Sequence, residues 1–179
     1  ATRADIVEKL TTGECAVHVK GFDRPNLSLK VSPKQNLKNN LLAFLNEKRE
    51  QSGIIYCLSR KETDETCAFL KANGFNAISY HAGKASEYRR VAQDRFMTED
   101  SAVMVATIAF GMGIDKPDIR YIVHASLPSS VEAFYQEIGR AGRDGEPAET
   151  LMFYGLQDIV LRQKMIFEGE GNEKHKLLE

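Results

Sequence analysis

The sequence predicts an α/β chain, a three-layer α/β/α sandwich built on a mainly parallel sheet, and three observations carry that prediction. Short apolar runs recur at 54–58, 77–80, 103–106, 121–123 and 151–154. They are apolar at consecutive rather than alternate positions, which marks strands covered on both faces and hence a parallel sheet with crossover helices. The stretches between them carry helix start and stop signals. At 179 residues, 42% of them hydrophobic, the chain is long enough for one domain with a full core.

Residues 1–26 read as a leading piece: a helix over about 4–10, a short strand Ala16-Val17-His18-Val19, and an extended linker Phe22-Asp23-Arg24-Pro25-Asn26. Pro25 crowds the residue before it and keeps Arg24 out of helical geometry. The domain proper is expected over 27–167. Leu37, Leu41 and Leu45 recur every four residues, with Leu42 and Phe44 widening the stripe, so a helix from Asn36 to about Lys48 lays one face on the sheet. Ser59-Arg60-Lys61-Glu62 has the form of a capping box, and Gly74 supplies a left-handed stop, which places a helix from Arg60 to about Asn73. Tyr88, Val91, Ala92 and Phe96 approximate helical spacing over 86–97. Ser129-Ser130-Val131-Glu132 repeats the box, and Val131, Phe134, Tyr135 and Ile138 share one face of a helix that Gly139 ends. A polar tail, 168–179, follows. The order β-α-β-α-β-β-α-β with short loops is that of a RecA-like or flavodoxin-like sandwich, in which ligands gather beyond the C-terminal ends of the strands.

Composition excludes several classes. No run approaches the ~18 apolar residues of a membrane span, and Ala1-Thr2-Arg3-Ala4-Asp5 lacks the order of a secretion signal, so a soluble intracellular chain is expected. Cys15, Cys57 and Cys67 form no CxxC pair, which argues against a zinc site or a disulfide framework and for buried or half-buried thiols. The net charge of −1 does not advertise nucleic acid. Any such role rests on the local basic clusters Arg60-Lys61, Arg89-Arg90 and Arg140/Arg143, and short basic pairs are more often solvated helix faces.

The most informative string is Gln136-Glu137-Ile138-Gly139-Arg140-Ala141-Gly142-Arg143-Asp144-Gly145. Two guanidinium forks beside three glycines make a phosphate clamp where the backbone can approach closely. Arginines tied to Glu137 and Asp144 at a helix end are the structural alternative. The string resembles motif VI of the RecQ helicases of superfamily 2 almost residue for residue. That resemblance implies an arginine finger at Arg143, with Arg140 assisting and Gln136 on the nucleotide side.

A second stretch, 103–117, is a buried strand leading into the loop Thr107-Ile108-Ala109-Phe110-Gly111-Met112-Gly113-Ile114-Asp115-Lys116-Pro117, and it resembles motif V of the same family. By resemblance Thr107 touches a DNA phosphate, while Asp115 and Gly113 lie at the nucleotide. The plain alternatives are a strand-end hydroxyl and a turn carboxylate. The stretch 53–60 resembles motif IV, with Ser59 and Arg60 at a helix N-terminus, where free amides favour phosphate, although Ser59 is also a ready cap. Tyr80-His81-Ala82-Gly83 resembles a tetrapeptide at the matching strand end, which implies a DNA or inter-lobe contact for His81 against a purely structural role. The linker Phe22–Asn26 is similar to the one that enters the family's second lobe.

The chain is thereby identified as the second, C-terminal RecA-like lobe of a P-loop helicase. The resemblance implies ATP and Mg2+ held mainly by a first lobe, no metal ligands here, and single-stranded and partly duplex DNA as partner, with no membrane. It also implies a cytoplasmic location in a bacterium or a nuclear one in a eukaryote. No GxxxxGK[ST] and no Asp-Glu-x-His box is present, and Ala82-Gly83-Lys84-Ala85 lacks the upstream glycine and the hydroxyl, so the fragment alone is expected to be inactive. In the family a four-cysteine zinc module and a winged helix usually follow. The rival readings are the second lobe of an RNA helicase, disfavoured by Gln136-Glu137 and by Ala141-Gly142 between the arginines, and a scaffold that has lost its motor. A flavodoxin-like cofactor enzyme would need a phosphate loop after the first strand.

Overall fold

The computed structural model describes Val7, Lys9, residues 23–111 and 113–161, and residue 163. Val7 and Lys9 are helical, while the strand expected at 16–19, Cys15 and the polar tail lie outside the described residues. From residue 27 the elements are β1 (Leu27–Pro33), α1 (Leu37–Asn46), β2 (Ser52–Tyr56), α2 (Arg60–Ala72) and β3 (Ala77–Tyr80). They continue with α3 (Ser86–Thr98), β4 (Val103–Ala106), β5 (Ile119–His124), α4 (Val131–Ile138) and β6 (Ala148–Tyr154). Residues 156–161 are again helical.

The six strands form one sheet in the order β1-β6-β5-β2-β4-β3. Every pairing in it is parallel. Consecutive residues of a strand point to opposite faces, and the core divides accordingly. Ile55, Cys57, Val103, Val105, Tyr121 and Val123 meet Leu41 and Leu45 of α1 and Cys67 and Leu70 of α2 on one side. Ile54, Tyr56, Met104 and Ile122 meet Ala92 and Phe96 of α3 on the other. The expected three layers are therefore present.

One connection departs from the helical pattern. From β4 the chain crosses to β5 on the far side of β2 without a helix, and Phe110 and Ile114 of this connection, 1% and 3% exposed, are buried in the second core layer. The loop that carries the motif V residues is thus a crossover in its own right. It lies at the point where the strand order turns back, where sheets of this class bind ligands.

Several local expectations need correction. β1 is not among the expected strands; it is an edge strand with Leu29 57% and Val31 60% exposed. At α2 the Ser59 hydroxyl accepts from the Glu62 amide at 3.1 Å, but the Glu62 carboxylate reaches back to the amide of Leu58 rather than Ser59. Gly74 does stop this helix, with φ 80. At α4 the cap is Ser130, which accepts from the Ala133 amide, so no Glu occupies the reciprocal position of a box. Tyr88 and Val91 of α3 and Val131 and Tyr135 of α4 are exposed, so the buried stripes of these helices are narrower than their apolar spacing suggests. Cys57 and Cys67 are buried free thiols. Burial pushes the Cys57 thiol up to about 12.

Candidate functional site

The loop after α4 carries both arginines. Arg143 Nη1 donates to Asp115 Oδ1 at 2.7 Å and to the Ile114 carbonyl at 3.0 Å. Arg140 Nη1 donates to the Gly111 carbonyl, and a Cβ on Gly111 would stand 2.6 Å from Arg140 Nη2, so the guanidinium lies close against this residue and any side chain there would push it aside. The fold thereby brings together Arg140, Arg143 and Asp115, three residues on two loops distant in sequence. Asp115 is exposed, with 87% of its side chain accessible, and pairs of that kind exchange readily for another anion. Gly113 sits in the same loop, exposed and at φ 79, a backbone that L side chains rarely adopt. Gln136 is exposed on the last turn of α4.

Tyr56, at the end of β2, connects this group to the core. Its hydroxyl donates to the Phe110 carbonyl at 3.2 Å, and burial pushes the phenol up to about 12 against the opposing pull of Arg140. Its ring stacks on His124 with centroids 5.5 Å apart.

The residues assigned to a nucleic-acid track gather elsewhere, beyond the C-terminal ends of β2, β3 and β4. Ser59 and Arg60 are exposed at the start of α2, and Thr107, half-buried, follows β4 with its amide donating to the Tyr80 carbonyl. Ser59 is engaged as the helix cap. His81 is turned inward, 5% exposed: Nδ1 accepts the Gly83 amide at 3.1 Å, which leaves Nε2 to donate to Asp64 Oδ2 at 3.1 Å. Lys84 Nζ meets the other Asp64 oxygen at 2.8 Å. Burial pushes the Asp64 carboxyl up, but the Lys84 and His81 hydrogen bonds outweigh it and hold it below its ordinary value. The loop 107–118 runs from this track to the arginines, so both groups share one segment.

Residues with no functional signal of their own in the sequence hold the arginine loop in place. Arg24 and Asn26 bond to its backbone carbonyls, and Arg120 pairs with Asp144, whose other oxygen accepts the Glu146 amide. The Phe-Asp-Arg-Pro-Asn string was legible as a linker, but nothing in it names a partner. Arg120, within β5, carries no local signal at all. Among the described residues no three His, Cys, Asp or Glu side chains converge as metal ligands, and no helix is long and apolar enough to cross a membrane.

Residues 34–145 match the helicase conserved C-terminal domain. The chain is 43% identical over 176 residues to the ATP-dependent DNA helicase hus2/rqh1 of Schizosaccharomyces pombe, which covers 97% of this chain and 13% of that protein. It is 44% identical over 179 residues to the RecQ-like DNA helicase BLM of Xenopus laevis, again 97% of this chain and 13% of the relative. Among solved structures, the RNA-helicase Prp28 from Chaetomium thermophilum bound to ADP superposes with a TM-score of 0.63 at 25% identity, covering 81% of this chain and 37% of that one. The chain thus spans about an eighth of the length of these two curated relatives. It belongs to the helicase conserved C-terminal domain family, as the C-terminal helicase domain of the RecQ type.

Proposed function

We propose that this chain is the second motor lobe of an ATP-dependent 3′–5′ DNA helicase that unwinds DNA in repair and recombination. Residues 27–167 form the lobe, and the stretch before them links it to a first RecA-like lobe that holds ATP and Mg2+. The observation that carries the reading is the 2.7 Å pair between Arg143 and Asp115, which joins the two motif strings at one exposed point beside Arg140. In this reading Arg143 leaves Asp115 for the terminal phosphate, where its fork stabilises charge spread over the transferring oxygens. Arg140 assists from its seat on Gly111, and Asp115, released, faces the ribose, with Gly113 and Gln136 beside it. Thr107, Ser59 and Arg60 supply part of the single-stranded DNA track. His81, with both ring nitrogens used, shapes that track by ordering the 81–84 turn. The protein works in the cytoplasm of a bacterium or the nucleus of a eukaryote.

The test is single-stranded-DNA-stimulated ATP hydrolysis by the full-length protein and its Arg143→Ala variant. The variant is expected to lose turnover by about a thousandfold while ATP binding changes little. Wild-type turnover in the variant would overturn the finger assignment. Hydrolysis by residues 1–179 alone would overturn the division of the ATP site between lobes.

A further inference from the structure

Arg24 approaches the arginine loop from more than a hundred residues away in sequence. Its Nη2 donates to the carbonyls of Ala141 at 2.7 Å and Gly142 at 2.8 Å, and its Nη1 to that of Gly139 at 3.5 Å. Its Nε donates to Asn26 Oδ1 at 3.3 Å, and Asn26 Nδ2 in turn donates to the Gly142 and Glu146 carbonyls, both at 2.9 Å. Asn26 is itself anchored, because its carbonyl accepts the Ala148 amide at 2.9 Å where β1 joins β6.

The segment so gripped is Ala141-Gly142, the spacer between Arg140 and Arg143. Its opposite side is fixed as well: Ala141 is fully buried, and the Gly142 amide donates to the Ile119 carbonyl at 2.9 Å. Gly142 has φ 55, and a Cβ there would stand 2.6 Å from Asn26 Nδ2 and 2.7 Å from the Glu146 carbonyl, so the clamp closes only on glycine. A guanidinium can satisfy several carbonyls at once because its donors are rigid and coplanar, and charged donors make the stronger hydrogen bonds. With the spacer fixed, the directions in which the two arginines leave it are fixed too, one toward Gly111 and the other toward Ile114 and Asp115.

We propose that Arg24 and Asn26 are positioning residues for Arg140 and Arg143, acting on turnover through the loop backbone and touching neither nucleotide nor DNA. The proposal rests on the functional reading above. A group displaced by about 1 Å from its productive geometry loses about a hundredfold in rate, so the effect belongs in kcat.

The experiment uses the full-length protein and compares wild type, Arg24→Ala, Arg24→Lys, Asn26→Asp, Arg143→Ala and the double variant Arg24→Ala/Arg143→Ala. It reads DNA-stimulated kcat, KM for ATP, single-stranded DNA affinity and thermal midpoint. Arg24→Ala and Asn26→Asp are expected to lower kcat tenfold or more, with KM and DNA affinity within about twofold. Arg24→Lys, one donor group in place of a fork, recovers part of the loss. The double variant is no slower than Arg143→Ala, as expected of residues that act as one unit. A lowered midpoint with unchanged kcat would reduce the clamp to a structural role and overturn the proposal. Should Arg24→Ala fail to fold, Asn26→Asp decides, because it keeps the side-chain volume and removes both donors to the loop. Wild-type turnover in Arg143→Ala would strike the functional reading; a dead Arg143→Ala beside fully active Arg24→Ala and Asn26→Asp would strike the clamp alone.

Discussion

His124 Nε2 donates a 2.7 Å hydrogen bond to Glu137 Oε2, and both residues are buried, at 1% and 7% exposure. The imidazole stacks on Tyr56 and lies 5.2 Å from the Phe134 ring, so this pair joins α4 to the centre of the sheet. The helix has little else to hold it, since Val131 and Tyr135 face outward and only Glu137 and Ile138 are buried.

Removing either partner leaves the other buried and unsatisfied, which costs about 1–3 kcal/mol. Glu137→Ala and His124→Ala are therefore each expected to lower the urea midpoint by that equivalent. The double variant should lose less than the sum of the two by about 1 kcal/mol or more. Strictly additive losses in this double-mutant cycle would mean that the pair is not coupled.

The second prediction concerns the centre of the sheet. Gly53 and Tyr121 are register partners across β2 and β5, and a Cβ on Gly53 would overlap the Tyr121 ring, whose edge contact with Phe44 is 5.8 Å between centroids. Gly53→Ala is expected to cost about 1–3 kcal/mol, the usual penalty of overpacking a filled core. The Tyr121 hydroxyl is buried and has no hydrogen-bond partner among the described residues, and burial pushes its phenol upward. Tyr121→Phe removes a desolvated group that gives nothing back, so it should leave stability unchanged or raise it by up to about 1 kcal/mol. A loss of stability on denaturation would show that the hydroxyl is bonded after all.

A third prediction is a pH dependence. Glu149 accepts from Lys30 and Lys48, each at 2.6 Å, and these two partners hold its carboxyl below the ordinary 4.5. A depressed folded-state value means that the stabilisation is present above the unfolded-state value and is lost as pH falls through the folded one. Glu149→Gln should therefore lower stability at pH 7 by about 1 kcal/mol, modest because the carboxylate is partly exposed. The gap from wild type should close as the pH is taken below about 4.5. A gap that stays constant down to pH 3 would assign the effect to packing rather than charge.

What was legible depended on whether the signal was local. The run at 103–106 read correctly as β4 and that at 54–58 located β2, which spans Ser52–Tyr56, because two-sided burial makes consecutive positions apolar, and α2 read correctly because Ser59 and Gly74 act on their own neighbourhood. β1 did not read, because its apolar Leu29 and Val31 face outward and only β6, far along the chain, makes it a strand. The stripe on α4 was apolar in sequence yet exposed at Val131 and Tyr135.

The sequence by itself determined the class of sheet, the order of its helices and the identity of the two arginine-bearing and threonine-bearing strings, since each is written in adjacent residues or in a short period. Only the tertiary structure decided that Arg143 meets Asp115, that His81 turns inward onto Asp64, and that Arg24 and Asn26 grip the arginine loop. The physical reason is that these are side-chain hydrogen bonds between residues that are not neighbours in the chain. Such bonds impose no periodicity on the sequence, and they exist only once the sheet has brought its strand ends and loops together.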